Sequence, residues 1–212
     1  MARTDRRLPR RLLQLYAGLL LYGFSLALLV EADLGLAPWD VLHQGLSLVT
    51  GLSIGTWVVL MSVVVLLLWL PLRQRPGLGT VSNAVLVGVG LDVSLALLPT
   101  FEGLPLRVLA LAVGVGLNAV ATAAYIGARL GPGPRDGLMT GIAARGHSVR
   151  LVRTALEATV LVTGWLLGGS VGVGTLVYAV GIGPLVHPLL PALLVPEHPA
   201  GEPPAVPGAA AA

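Results

Sequence analysis

A few polar side chains interrupt an otherwise apolar sequence at positions where they could bind a cation, a proton or a polar substrate. Asp40, His43 and Gln44 are spaced so that they share one face of a helix. Asp136 follows a similar phrase in the second half of the chain, and Glu157 lies inside a later apolar run. An isolated charge inside a membrane span costs about 3 kcal/mol unless it is paired or hydrated, which draws attention to Glu157. All five residues are candidates for a substrate- or ion-binding site.

The composition around them is typical of an integral membrane protein. Hydrophobic residues make up 55% of the 212 positions and charged residues 11%, whereas a soluble domain carries about a quarter charged residues. The chain contains no cysteine, which excludes disulfides and thiol chemistry. The formal charge is +3, but the arginines lie in short loops beside apolar runs, as membrane topology requires. We therefore expect the lipid bilayer as the main partner and no nucleic acid.

Six apolar runs are long enough to cross a bilayer, since about 20 apolar residues span its hydrocarbon core. They cover residues 12–31, 53–72, 80–99, 106–128, 150–168 and 175–195. With the N-terminus in the cytoplasm, every arginine except Arg107 falls on or near the cytoplasmic side; eight spans would move Arg73 and Arg75 outside. The sequence predicts an all-α, six-span protein with both termini in the cytoplasm. Residues 1–11 are an arginine-rich cytoplasmic segment, and residues 196–212 are a Pro- and Ala-rich tail expected to be disordered.

A repeated phrase divides the spans into two halves. The chain reads LGLAPWDVLHQG from residue 34 and LGPGPRDGLMTG from residue 130. Further along, GLGTVSNAVLVG from residue 77 matches GVGTLVYAVGIG from residue 172. The halves, 12–99 and 106–195, each hold three spans, so the second must enter the membrane upside down. The sequence therefore predicts an inverted repeat, which is the architecture of many secondary transporters.

The repeated phrase also predicts local structure. In each copy the proline, Pro38 or Pro134, suits the first position of a helix, and the aspartate then lies in the first turn, where it stabilises the positive end of the helix. Gly35 and Gly131 permit a tight reversal before the helix. Each helix is too short to span the membrane and either re-enters it or lies along the interface. The two aspartates either cap these helices or bind a cation, a proton or a cationic substrate.

The other polar residues inside the spans also have two roles open to them. Glu157 either pairs with Arg153 on the same helix face or takes part in proton coupling. Asn83 and Asn118 either bond neighbouring helices or contact a substrate near the middle of the membrane. Two Gly-Thr pairs at span starts serve either close helix packing or contact with an anionic group. These pairs are Gly79 with Thr80 and Gly174 with Thr175.

The phrases LGLAPWDVLHQGLS, PGLGTVSN, LGPGPRDGLMTG and VGVGT resemble the signature phrases of the YczE/YyaS/YitT-type bacterial membrane proteins, most closely the YczE branch. The resemblance covers residues 10–195. It implies a six-span protein of the bacterial plasma membrane with no settled biochemical activity. It supplies no catalytic or binding residues.

No enzyme motif accompanies these features. The sequence lacks a nucleophile elbow, an HExxH motif and clustered metal ligands. We therefore expect no enzyme activity, no metal and no cofactor. The favoured function is secondary transport or export of a small molecule, with proton coupling through Glu157 or an aspartate. The alternatives are a non-transporting accessory factor for another complex, or a channel, and a homo-oligomer is compatible with each.

Overall fold

The computed structural model describes residues 7–196, and within that range the chain is helical and contains no strand. The eight helices of this range are α1 (Leu8–Ala32), α2 (Pro38–Thr50), α3 (Ile54–Leu72), α4 (Leu78–Leu97), α5 (Leu104–Gly127), α6 (Pro134–Ala143), α7 (Val149–Leu166) and α8 (Val173–Leu193). Residues 1–6 and 197–212 lie outside the described residues. The predicted disordered tail after Pro196 and the first six residues of the predicted N-terminal segment therefore have no structural description.

The six longer helices run between two opposite ends of the molecule. Near the start of α1, the Arg11 guanidinium donates to the carbonyl of Ala128, just after α5, over 2.9 Å. At the other end, Arg107 in the first turn of α5 donates to the carbonyl of Ala32, the last residue of α1, over 2.7 Å. α1 and α5 are therefore antiparallel. We call the end that holds Arg11 the arginine face and the end that holds Arg107 the opposite face.

Most of the described arginines lie at the arginine face. Arg145, just after α6, donates to the carbonyl of Pro71 near the end of α3 over 2.6 Å, which brings the ends of these helices together. The arginines that flank helix ends at this face are Arg7, Arg10, Arg11, Arg73, Arg75, Arg129, Arg145 and Arg150. This is the distribution that the sequence predicts for the cytoplasmic side.

Five of the helices are long and apolar enough to cross a membrane, namely α1, α3, α4, α5 and α8. The remaining long helix, α7, coincides with the predicted span at 150–168 but carries Arg150, Arg153 and Glu157 in its first half. Large apolar side chains point outward from the bundle: Leu97 is 79% exposed and Leu70 is 72% exposed. Such a surface suits contact with lipid rather than with water.

α1 and α5 pack along each other at the centre of the bundle, with α4 against α1 and α8 against α5. Small residues allow these approaches: a Cβ atom at Gly23 of α1 would lie 2.7 Å from the backbone nitrogen of Leu91 in α4. Leu15, Leu19 and Leu26 fill the centre and are 2% exposed or less. Close packing through small residues is the usual way in which membrane helices associate.

The short helices α2 and α6 begin at Pro38 and Pro134, as predicted, and each packs against a long helix of the other half of the chain. α2 lies on α7, where Gly45 faces the backbone of Gly164 with no room for a side chain. α6 lies on α3, where the indole nitrogen of Trp69 donates to the carbonyl of Pro134 over 3.0 Å. The two halves are therefore interlocked through their short helices.

Candidate functional site

A cavity of about 350 Å³ lies inside the bundle, and its walls come from α1, α3, α4, α5, α6, α7 and α8. That volume is sufficient for a small organic molecule, whose binding sites are roughly 300–1,000 Å³. The polar side chains that line it are Tyr22, Ser62, Asn83, Thr122, Tyr125, Arg135, Asp136, Arg153, Tyr178 and His187. Apolar side chains of α3, α4, α5 and α8 complete the wall.

α3 and α4 close tightly on each other towards the opposite face. A Cβ atom at Gly55 of α3 would collide with the carbonyl oxygen of Gly88 in α4. Asp92 of α4 accepts a hydrogen bond from the Ser53 hydroxyl over 2.6 Å and from the backbone nitrogen of Gly55 over 2.8 Å. The carboxylate of Asp92 thus joins α4 to the N-terminus of α3.

α7 and α8, which match α3 and α4 in the sequence repeat, lack this extensive packing along their described residues. Gly183 of α8 matches Gly88, yet a Cβ atom at Gly183 would meet nothing within 4 Å. His187 matches Asp92 and lines the cavity together with Gly183. The cavity therefore lies where α7 and α8 diverge towards the arginine face, while the matching pair α3 and α4 is closed.

The starts of α2 and α6 meet at Arg135, whose guanidinium carbon lies 5.0 Å from the centre of the Trp39 ring. Arg135 and Trp39 occupy the same place in the two copies of the repeated phrase. The guanidinium also lies 3.7 Å from the Asp40 carboxylate, which contacts Nδ1 of His43 at 3.2 Å. Asp40 and His43 are buried and share a helix face as predicted, but they lie behind Arg135 and do not line the cavity.

Asp136, the second aspartate of the repeat, does line the cavity. Its Oδ2 accepts a hydrogen bond from the Tyr125 hydroxyl over 2.8 Å. Tyr125 also packs edge-on against Tyr22, with their ring centres 6.1 Å apart. The two aspartates of the repeat therefore differ: Asp40 is buried beside a cation, and Asp136 faces open space.

The two asparagines also differ in position. Asn83 lies on the cavity wall. Asn118 is fully buried behind it, where its amide donates to the Ser25 hydroxyl over 2.9 Å and its carbonyl accepts from the Tyr178 hydroxyl over 2.9 Å. Asn118 thus joins α1, α5 and α8 and orients Tyr178, which lines the cavity.

Glu157 forms an ion pair with Arg153, Oε1 to Nε over 2.8 Å, on the same face of α7. Arg153 lines the cavity and Glu157 does not. Gln44 lies farther away, where its carbonyl oxygen accepts from the backbone nitrogen of Ser170 over 2.6 Å and attaches α2 to the turn between α7 and α8. The ion pair with Arg153, one of the two roles that the sequence allows for Glu157, is therefore formed in the structure.

The two Gly-Thr pairs at the starts of α4 and α8 contact the loops that precede α6 and α2. The backbone nitrogen at Gly79 donates to Leu130 over 2.7 Å, and that at Gly174 donates to Leu34, also over 2.7 Å. The hydroxyls of Thr80 and Thr175 each accept from a backbone nitrogen three residues earlier over 3.2 Å. These groups have protein partners and lie outside the cavity wall.

Sequence reasoning missed Arg135 and Tyr125 as site residues. The sequence allows Arg135 a topological role, contact with lipid phosphate or a pair with Asp136, whereas in the structure its guanidinium faces Asp40. One signal was available: it occupies the place of Trp39 in a repeat whose halves must meet near an axis. Tyr125 carried no signal in the sequence, since its importance comes from its contact with Asp136.

The chain is similar to several uncharacterised bacterial proteins. An uncharacterised protein of Haemophilus influenzae is 41% identical over 166 residues, which are 78% of this chain and 76% of the relative. An uncharacterised membrane protein of Bacillus subtilis, YczE, is 34% identical over 83% of each chain. A second uncharacterised protein of Bacillus subtilis, YyaS, is 30% identical over 85% of this chain and 92% of its own. No solved structure matches.

The resemblance to YczE and YyaS proposed from the sequence is therefore confirmed. The apolar helices and the relative named as a membrane protein together support a multi-pass membrane protein. Residues 9–190 match the family of unknown function DUF6198. The chain thus belongs to the DUF6198 family.

Proposed function

We propose that the protein is a secondary transporter or exporter of a small molecule, built from two inverted halves of three spans each. The observation that carries the proposal is the unequal closure of two matching helix pairs: α3 packs on α4, whereas α7 and α8 diverge around the cavity. Two similar halves that adopt different conformations can exchange them, and the central site is then exposed to the other side of the membrane.

The repeated contacts support the inverted relation of the halves. The Gly79 and Gly174 nitrogens make the same bond to Leu130 and Leu34. α2 packs on α7 as α6 packs on α3, which is the pattern expected when each half is rotated onto the other. No catalytic step is part of the proposal.

In the proposed topology α7 is the sixth span and the arginine face lies in the cytoplasm. The positive-inside rule favours this orientation, because Arg107 is the one described arginine that flanks a helix end at the opposite face. The pair between Arg153 and Glu157 reduces the cost of placing α7 in lipid. The structure then represents the inward-facing state, with the cavity directed towards the cytoplasm.

Single cysteines can test this exchange, since the natural chain has none. Gly183→Cys places a thiol in the open cavity, and Val59→Cys places one in the closed contact between α3 and α4. We expect a membrane-impermeant maleimide to label the first from the arginine face and the second from the opposite face. Conditions that raise the labelling of one should lower the labelling of the other.

Exposed loop positions provide the controls. His147→Cys should react only from the arginine face and Leu52→Cys only from the opposite face, under all conditions. If Gly183→Cys reacts in native membranes but Val59→Cys stays unreactive under every imposed ion gradient, the cavity does not change its access. That result would contradict transport. Labelling of one position from both faces under the same conditions would indicate a channel instead.

A further inference from the structure

The charged groups around the cavity do not balance. Two arginines line it, and each already faces a carboxylate outside the lining: Arg153 is 2.8 Å from Glu157, and Arg135 is 3.7 Å from Asp40. Asp136 is a third carboxylate, and it lies on the cavity wall itself. The cavity region thus holds one more carboxylate than guanidinium, apart from any charge on the nearby histidines.

Asp136 lacks a cationic partner among the described residues. No arginine or histidine nitrogen of that range lies within 4.0 Å of its carboxylate. Its one side-chain hydrogen bond comes from the neutral hydroxyl of Tyr125. The neighbouring Arg135 points away, towards Trp39 and Asp40. The N-terminal turn of α6 stabilises the negative charge of Asp136, and that charge is available to attract a cation that enters the cavity.

Aromatic rings surround the same space. Tyr22, Tyr125 and Tyr178 all line the cavity, and Tyr22 meets Tyr125 edge to face at an interplanar angle of 70°. The face of a tyrosine ring attracts a cation through its quadrupole, most strongly where water is excluded. Valines, isoleucines and one leucine supply most of the apolar part of the wall. These groups favour a ligand that combines a positive charge with an apolar body.

We propose that the cavity binds a monovalent organic cation, with its charge against Asp136 and its apolar part against the tyrosines and the aliphatic wall. This ligand class rests on the proposed function, because it names the kind of small molecule that the protein would transport. The remaining titratable groups that line the cavity are Arg135, Arg153 and His187. The first two are held by Asp40 and Glu157, so Asp136 determines the sign of the preferred ligand.

Three compounds of similar shape test the sign of the charge on the purified full-length protein in nanodiscs. The probe is trimethylphenylammonium; tert-butylbenzene is its uncharged counterpart and benzenesulfonate is an anion of similar size. Saturation-transfer NMR and calorimetry would measure their affinities. We expect the cation to bind at least tenfold more tightly than either of the others.

Variants at Asp136 assign the effect to that residue. Asp136→Asn should weaken cation binding at least tenfold and leave tert-butylbenzene binding unchanged, which also shows that the cavity has formed. Asp136→Glu keeps the charge and should retain most of the affinity. Asp33→Asn makes the same chemical change at an exposed carboxylate outside the cavity lining and should have no effect.

Equal affinity for the cation and for tert-butylbenzene would overturn the proposal, as would a preference for benzenesulfonate or unchanged cation affinity in Asp136→Asn. The cysteine-labelling experiment separates this outcome from failure of the proposed function. Exchange of labelling without cation binding would refute the cation site alone. Cation binding without exchange would leave the site standing and refute transport.

Discussion

Arg135 joins the two copies of the repeated phrase, one from each half of the chain. Its guanidinium stacks on Trp39 and faces Asp40, which is 3% exposed. Removing one member of a buried ion pair leaves the other without compensation, and the loss is about 3–5 kcal/mol. The Arg135 contact is therefore as much a structural link as a part of the cavity wall.

We expect Arg135→Gln to lower the free energy of unfolding by about 3 kcal/mol, because the buried Asp40 loses its guanidinium and keeps only His43 as a side-chain partner. Adding Asp40→Asn should restore part of the loss. Arg145→Gln, at an exposed arginine that donates to a carbonyl, should change stability by about 0.5 kcal/mol or less. Thermal unfolding of the purified variants would measure all three, and equal losses for Arg135→Gln and Arg145→Gln would contradict the buried pair.

Glu157→Gln should affect ligand binding more than stability. The pair with Arg153 is partly exposed, and such pairs contribute about 0–1 kcal/mol to stability. Without Glu157 the charge of Arg153 would act on the cavity, and we expect trimethylphenylammonium to bind more weakly by roughly 0.5–1 kcal/mol. Calorimetry on Glu102→Gln, which changes a carboxylate outside the cavity lining, supplies the comparison. Tighter binding in Glu157→Gln would contradict this charge balance.

At the scale of helices, the contact between α2 and α7 depends on the absence of side chains. Gly45 and Gly164 bring the two backbones together, so Gly45→Ala should separate them and destabilise the protein by about 1–3 kcal/mol. Gly116 lies inside α5 with open space around it, and Gly116→Ala should stabilise the protein by about 0.5–1 kcal/mol. Unfolding in mixed micelles would measure the change in the free energy of unfolding, which should have opposite signs in the two variants. An equal loss of stability in both variants would contradict the close contact between α2 and α7.

The positions at which the helices begin and end largely follow from the sequence, because the residues that determine them lie at those positions. Pro38 and Pro134 start their helices because a missing N–H has no cost at that position. The tight turns before them have φ values of +107° at Gly35 and +128° at Gly131, which glycine adopts freely. The bounds of the apolar runs likewise follow from the length needed to cross lipid.

The pairing of the helices could not be predicted in the same way. In lipid, apolar surface does not select one neighbour over another, so partners are chosen by shape and by a few polar contacts. The Trp69 side chain packs on the start of α6, and the absence of a side chain at Gly164 lets α2 approach α7. Nothing in the local sequence around either residue indicates these contacts. The divergence of α7 from α8 also lies beyond the sequence, because α8 begins with a phrase that matches the start of α4 and yet does not pack on its neighbour as α4 does.

At the scale of the whole molecule, exchange between two states predicts two reciprocal cross-links. Ser53→Cys with Asp92→Cys replaces a direct contact between α3 and α4 and should oxidise to a disulfide readily. Ser148 begins α7 as Ser53 begins α3, and His187 matches Asp92. Ser148→Cys with His187→Cys should therefore cross-link only when α7 and α8 close.

Oxidation of each pair in native membranes, followed by electrophoresis after cleavage at an engineered loop site, would measure the two rates. Conditions that speed the second cross-link should slow the first, because both describe one equilibrium. Independent rates, or a second pair that never forms a disulfide while the first does, would contradict a coupled exchange between the halves.

The interlocking of the halves has a consequence for the order of synthesis. Asp40 and the α2 surface around Gly45 are made early, but their partners, Arg135 and Gly164, follow only when the second half leaves the ribosome. Until then the first half carries a carboxylate without its cation and a helix without its neighbour. These contacts can form only after α6 and α7 have been synthesised, so we expect a chain that stops before α6 to be less resistant to proteolysis than the full chain.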